Sequence, residues 1–238
     1  MRTTSLLYSR YYPINDNIRI VIPSMGEILE DEDSYYTMVT LLTAMPIDMM
    51  VQLDDMGIDF SEISDYEMFL LMFSALQSRD TSLIFGDTDL TKFELAVDEG
   101  ENMVMVDTTN DIVIDRVIYG KIAGAMRKIH HLEKNKRKPG NGAAKKFMLE
   151  RARAKARRYA RTQHDSQVER LIIAMVNTEQ FKYNFSEVKS LSVYQFNESV
   201  RQVVRKVDYD NRMYGVYAGT ISVKDLPQED LNWLVPKK

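Results

Sequence analysis

The chain has 238 residues and a mass of 27.6 kDa, with 45% hydrophobic and 28% charged residues and no cysteine. That composition suits a folded globular protein and excludes disulfides, thiolate nucleophiles and cysteine-based zinc sites. The net charge of −4 conceals a segregation: residues 1–115 hold five Lys and Arg against 23 Asp and Glu, residues 116–170 hold 17 against four, and residues 171–238 hold nine against eight.

The N-terminal stretch MRTTSLLYSRYYPINDN lacks a sustained apolar core, so no secretory signal is expected, and no later run reaches the roughly 18 apolar residues of a bilayer span. Residues 8–22 read as two short extended runs around the turn Asn15-Asp16-Asn17, with Ile18, Ile20 and Ile22 alternating onto one buried face before Pro23. From Ser34 to Met56 the pattern is helical, with Ser34 as cap and Met38, Leu41, Leu42 and Met45 at helical spacing. Pro46 splits or kinks it, and Gly57 ends it. Ser64 and Glu67 have the spacing of a capping box ahead of MFLLMF, predicting a helix to about Gln77.

The runs SLIF, KFELAV, MVMV and DIVI then read as a small antiparallel sheet, bounded by Gly86, Gly100 and TTND. Val117, Ile118, Ile122, Ala125, Met126 and Ile129 predict a helix from Asp115 into the loop KNKRKPGNG. A second long helix is expected from about Ala143, continuing as far as Val176. The stretch FKYNFSEVKSL reads as a loop, and Ser192–Lys206 as a further helix. Gly215 and Gly219 mark turns, and Pro227 opens a last helical piece. The expected fold is therefore mainly α with a small antiparallel β element (α+β). An acidic N-terminal part over 1–134 precedes a helical C-terminal part over 143–238, and the boundary is sought in the loop Lys134–Gly142.

No G-x-S-x-G, S-x-x-K, G-x-x-x-x-G-K-[ST] or G-x-G-x-x-G motif occurs. His130 and His131 are adjacent and point to different sides of a helix, so they do not chelate one ion together, and His164 stands apart. Carboxylate neighbours such as Asp54 and Asp55, or Glu32 and Asp33, do not converge from separate elements as two-carboxylate catalysis requires. The expectation is a non-enzymatic protein with no catalytic residue, metal or cofactor.

Two features suggest binding. Lys145, Lys146, Arg151, Arg153, Lys155, Arg157, Arg158 and Arg161 surround much of one helix and repel one another unless an anion or an acidic surface answers them. Nucleic acid would answer them. So would the acidic first half of the chain, within one molecule or between copies. Methionine also clusters early in the chain, with Met38, Met45, Met49, Met50, Met68 and Met72 near one another in sequence. Flexible thioethers suit an adaptable partner-binding surface, and equally an ordinary core.

The stretches IVIPSMGEIL, YYTMVTLLTAMPIDMMVQLDDMGIDFSEIS, YEMFLLMF, DIVIDRVIYGKIAGAMRKIHHL, PGNGAAKKFMLERAR, LSVYQFNESVRQV and DLNWL resemble proteins of the tail-morphogenesis region of tailed phages and prophages of Gram-positive bacteria. The resemblance, to tail assembly chaperones or accessory tail proteins, covers most of the chain. It implies a non-enzymatic role in the bacterial host cytoplasm, binding the tape measure and tail tube proteins, with self-association and no membrane partner. Two other readings stay open: a nucleic-acid-binding phage protein acting through residues 145–161, and a minor structural tail protein retained in the virion.

Overall fold

Period-two burial builds the first element of the computed structural model, which describes residues 5–161 and 166–234. Strands β1 (Tyr11–Pro13) and β2 (Arg19–Val21) pair antiparallel with Tyr12 opposite Ile20. The Asn15 side chain accepts from the backbone N–H groups of Asn17 and Ile18 and so closes the turn. Ile18, Ile20 and Ile22 enter the core as their alternation requires.

Helix α1 (Met25–Glu30) follows, a piece too short for apolar periodicity to mark. Its signal was present, because Ser24 and Glu27 form a complete capping box. Asp31, rather than Ser34, then caps α2 (Glu32–Thr43), and the Ser34 N–H donates to its carboxylate. Beyond Pro46 lie the short α3 (Met50–Asp55) and then α4 (Asp65–Gln77), the latter opened by the Ser64–Glu67 capping box. The run SLIF is one turn of helix, α5 (Ser82–Phe85), not a strand. Asp80 accepts from the Ser82 N–H, Ile84 and Phe85 turn inward, and Gly86 ends the turn at φ +59°. A three-stranded antiparallel meander of β3 (Glu94–Val97), β4 (Met103–Asp107) and β5 (Ile112–Ile114) follows.

Helix α6 (Arg116–His130), capped by Asp115, is the central pillar, burying Tyr119, Ile122, Ala123, Ala125, Met126 and Ile129. It packs against α2, α4, β2 and β5. After the loop come α7 (Gly142–Tyr159), α8 (Gln167–Val176), α9 (Phe185–Ser190) and α10 (Val193–Tyr217), which also packs on α6. The single long helix expected from Ala143 to Val176 is thus two helices. The segment FKYNFSEVKSL contains a helix capped by Asn184, and Gly215 lies inside α10 rather than in a turn.

The protein is mainly α with two small antiparallel sheets, as the patterning predicts. Its main core runs from Leu6 to Phe196 and takes in Val168, Ile172, Met175 and Phe181 from the C-terminal part. Backbone bonds Met25 N–H to Leu191 O and Val193 N–H to Pro23 O, each 2.8 Å, join the start of α1 to the start of α10. Gly26 lets α9 approach, since a Cβ there would lie 3.1 Å from the Lys189 carbonyl oxygen. A second, smaller cluster gathers Ala44, Ile47, Leu53, Phe60 and Met68 under α3.

Candidate interaction surface around the basic helix

Helix α7 buries no residue. One edge docks on α3, with Met148 half-buried against the second cluster. Arg153 on that edge reaches Asp54 at 2.5 Å and Asp55 at 2.6 Å, and these carboxylates hold its guanidinium pKa above the usual value. Lys145 pairs with Asp59, donates to the Ser61 hydroxyl at 3.1 Å and lies over the Phe60 ring. Hydrogen bonds from Lys145 and Ser61 bring the Asp59 carboxyl down to about 2.

The loop before α7 is fastened in the same way. Lys134 meets Asp65 at 2.8 Å, and Asn135 donates to Asp48 at 2.6 Å. Burial raises the Asp65 carboxyl, but the hydrogen bond and charge of Lys134 outweigh it and leave the pKa lowered. Acidic and basic parts of the chain therefore do face each other within one molecule, through Lys134, Lys145 and Arg153.

Only part of the positive charge is answered this way. Lys146, Lys155, Arg157 and Arg161 are exposed and make no hydrogen bond or ion pair with a described residue. Arg151 is exposed and lies 6.0 Å from the ring of Phe147, itself 60% exposed. Arg158 is also exposed. Lys136, Arg137 and Lys138 continue this surface along the loop, beside an open cleft of about 640 Å³ also lined by Met45, Phe60, Ser64 and Asn141.

The methionines divide between two environments. Met38 and Met68 are core residues, at 2% and 1% exposure. Met45, Met49, Met50 and Met72 are half-buried around the second cluster, and Met45 also borders the open cleft. Among the described residues, more exposed thioether surface lies at Met56 and Met103, 54% and 47% exposed, which residue spacing does not single out.

His130 is buried, with Nε2 3.0 Å from the Tyr35 hydroxyl, and burial followed by the neighbouring His131 brings its pKa down to about 4. His131 ends α6 in the left-handed conformation, φ 54°. Its Nδ1 lies 2.9 Å from an Arg201 N–H donor and must accept, so the neutral ring carries its proton on Nε2, facing Glu198 at 3.2 Å. Burial and then Arg201 lower its pKa against the pull of Glu198. The two histidines bind different parts of the protein together, and His164 lies outside the described residues. Among the described residues no group of three or more His, Cys, Asp or Glu is placed to hold a metal ion, and no helix is long and apolar enough to cross a membrane.

Residues 161–235 match the family described as the YomV second domain. The matched segment begins just beyond α7 and takes in α8, α9 and α10, about a third of the chain. This similarity to a family of Bacillus prophage suggests a phage-derived protein. No curated protein and no solved structure matches the chain.

Proposed function

We propose that the protein is a non-enzymatic phage tail assembly factor that binds the tape measure and tail tube proteins in the host cytoplasm, using the outer face of α7 against an acidic protein surface. One observation carries the binding face. A helix with no buried residue keeps Arg153 and Lys145 for its own acidic neighbours and turns Lys146, Arg151, Lys155 and Arg157 to solvent. Such a cluster is unfavourable in isolation and is relieved by a negatively charged surface. The tail-assembly role rests on the sequence resemblance, and the prophage family matching residues 161–235 agrees with it in origin.

Nucleic acid is the second reading, favoured by the continuity of Lys136, Arg137 and Lys138 with the outer cations of α7. Against it, α7 carries just two aromatic side chains, Phe147 and Tyr159, where base stacking calls for a platform of them. Affinity purification of the tagged protein from phage-producing cells, with nuclease treatment and mass spectrometry, separates the two. Tape measure or tube protein retained after nuclease supports the assembly role. Nucleic acid recovered beforehand with no tail protein afterwards contradicts it.

A further inference from the structure

A second surface on the same chain is complementary to the outer face of α7. Between the N-terminal turn of α4, the β3–β4 turn and the first turn of α6 lies a groove of about 520 Å³. Leu70, Met103, Val104 and Val117 give it apolar lining beside the polar Tyr66 and Asn102, with Met103 47% and Val117 63% exposed. Its rim is acidic, formed by Glu67, Asp98, Glu101 and Asp115, with Arg116 as its one cation. Glu67 accepts from the Ser64 N–H and hydroxyl in the α4 capping box. Asp98 accepts from Gly100 and Asn102, and Asp115 caps α6.

Within one chain α7 docks on α3, whereas the groove is built on α4, α6 and the β3–β4 turn, so the two surfaces do not occupy each other. The outer face of α7 offers what the groove lacks. Phe147 is an exposed aromatic anchor, flanked by the cations Lys146 and Arg151, with Lys155 and Arg157 further along the helix.

We propose that the groove receives α7 of a second copy of this chain, Phe147 entering between Met103 and Val117 while Lys146 and Arg151 meet the acidic rim. The two surfaces differ, so the contact is heterologous and copies add head to tail. A second copy is favoured over nucleic acid because the groove is acidic and apolar, and it supplies the countercharge that α7 needs. The interface deepens the reading of α7 as a protein-binding face, and it is tested on purified protein alone, so its failure is distinct from failure to bind tail proteins.

The test is sedimentation velocity on nuclease-treated full-length protein. Wild type should form concentration-dependent oligomers at low salt that shrink as salt is raised, because exposed charges are screened over about 10 Å at 0.1 M. Two variants each disable one surface: Arg151→Glu with Arg157→Glu on the helix, and Glu101→Lys with Val117→Lys on the groove. These sites are exposed and cap no helix, so circular dichroism should match wild type. Each double variant alone should associate at least about tenfold more weakly, since like charges brought together oppose docking. Mixed, they should form a one-to-one dimer and nothing larger, because one intact pair of surfaces remains. Monomeric wild type, or variants that stay monomeric when mixed, would overturn the proposal, as would oligomers that vanish on nuclease treatment.

Discussion

The two histidines show how a single residue's surroundings set a measurable property. His130 has an ordinary value of 6.5 and a folded value of about 4, with burial as the main cause. Above pH 6.5 both folded and unfolded chains leave it neutral. Between pH 6.5 and 4 the unfolded chain takes up a proton that the folded one refuses, so stability falls as pH drops through that window. The loss from this group is on the order of 3 kcal/mol. Urea midpoints measured from pH 7 to 4.5 should therefore decline steeply, and His130→Gln, which removes the titrating ring, should flatten the decline. Parallel curves for the two proteins would show that the buried ring is not responsible. Carboxylates such as Asp59 and Asp65 have depressed values, so their contributions disappear only at lower pH. Met68 offers a second test at this scale. At 1% exposure, its replacement by alanine should cost about 2–5 kcal/mol, whereas Met50→Ala at the cluster's rim should cost well under that. Thermal melts of the two variants decide between core filler and surface residue.

Among the elements, α7 and the segments around it separate what the sequence could reveal from what it could not. Local signals were sufficient for the hairpin, for α4 with its capping box, for α6 with its apolar stripe, and for Pro227 ahead of the last turn. They were insufficient for SLIF, whose four apolar residues fit a buried strand and a buried helical turn equally well. Tertiary burial of Ile84 and Phe85 decides in favour of the helical turn. Likewise the run of good helix formers after Ala143 gave no sign of where α7 would stop. The basic helix itself was legible, but its division into an inner edge and an outer face depends on which carboxylates lie across from it, and those come from about 90 residues earlier. The methionine cluster was ambiguous for a similar reason, because spacing gives a face and not what covers it.

The docking of α7 yields its own prediction. Arg153 and its partners Asp54 and Asp55 are reached by solvent, which screens the pair and leaves it little weight in global stability. Arg153→Ala should leave global stability nearly unchanged while amide exchange across residues 142–159 accelerates and exchange in α2 and α6 does not. Equal acceleration everywhere would mean that α7 is part of the cooperative core.

At the scale of the whole molecule, the charge segregation is partly internal stitching and partly an outward display. Lys134, Lys145 and Arg153 bind the basic segment back to the acidic half, while the remaining cations of α7 and its preceding loop stay on the surface. The main core crosses from residues of the acidic part to α8, α9 and the start of α10, so the segment related to the prophage family folds onto the rest of the chain. A protein built this way presents one charged helix on a well-packed body, which suits recognition of another macromolecule. The most direct measurement compares wild type with the Arg151→Glu, Arg157→Glu variant in nuclease-treated affinity capture from phage-producing cells, quantified by mass spectrometry. Wild type should retain the tape measure or tail tube protein, and the variant, equally folded, should lose most of it. Equal recovery of those proteins by both chains would contradict a binding role for the outer face of α7.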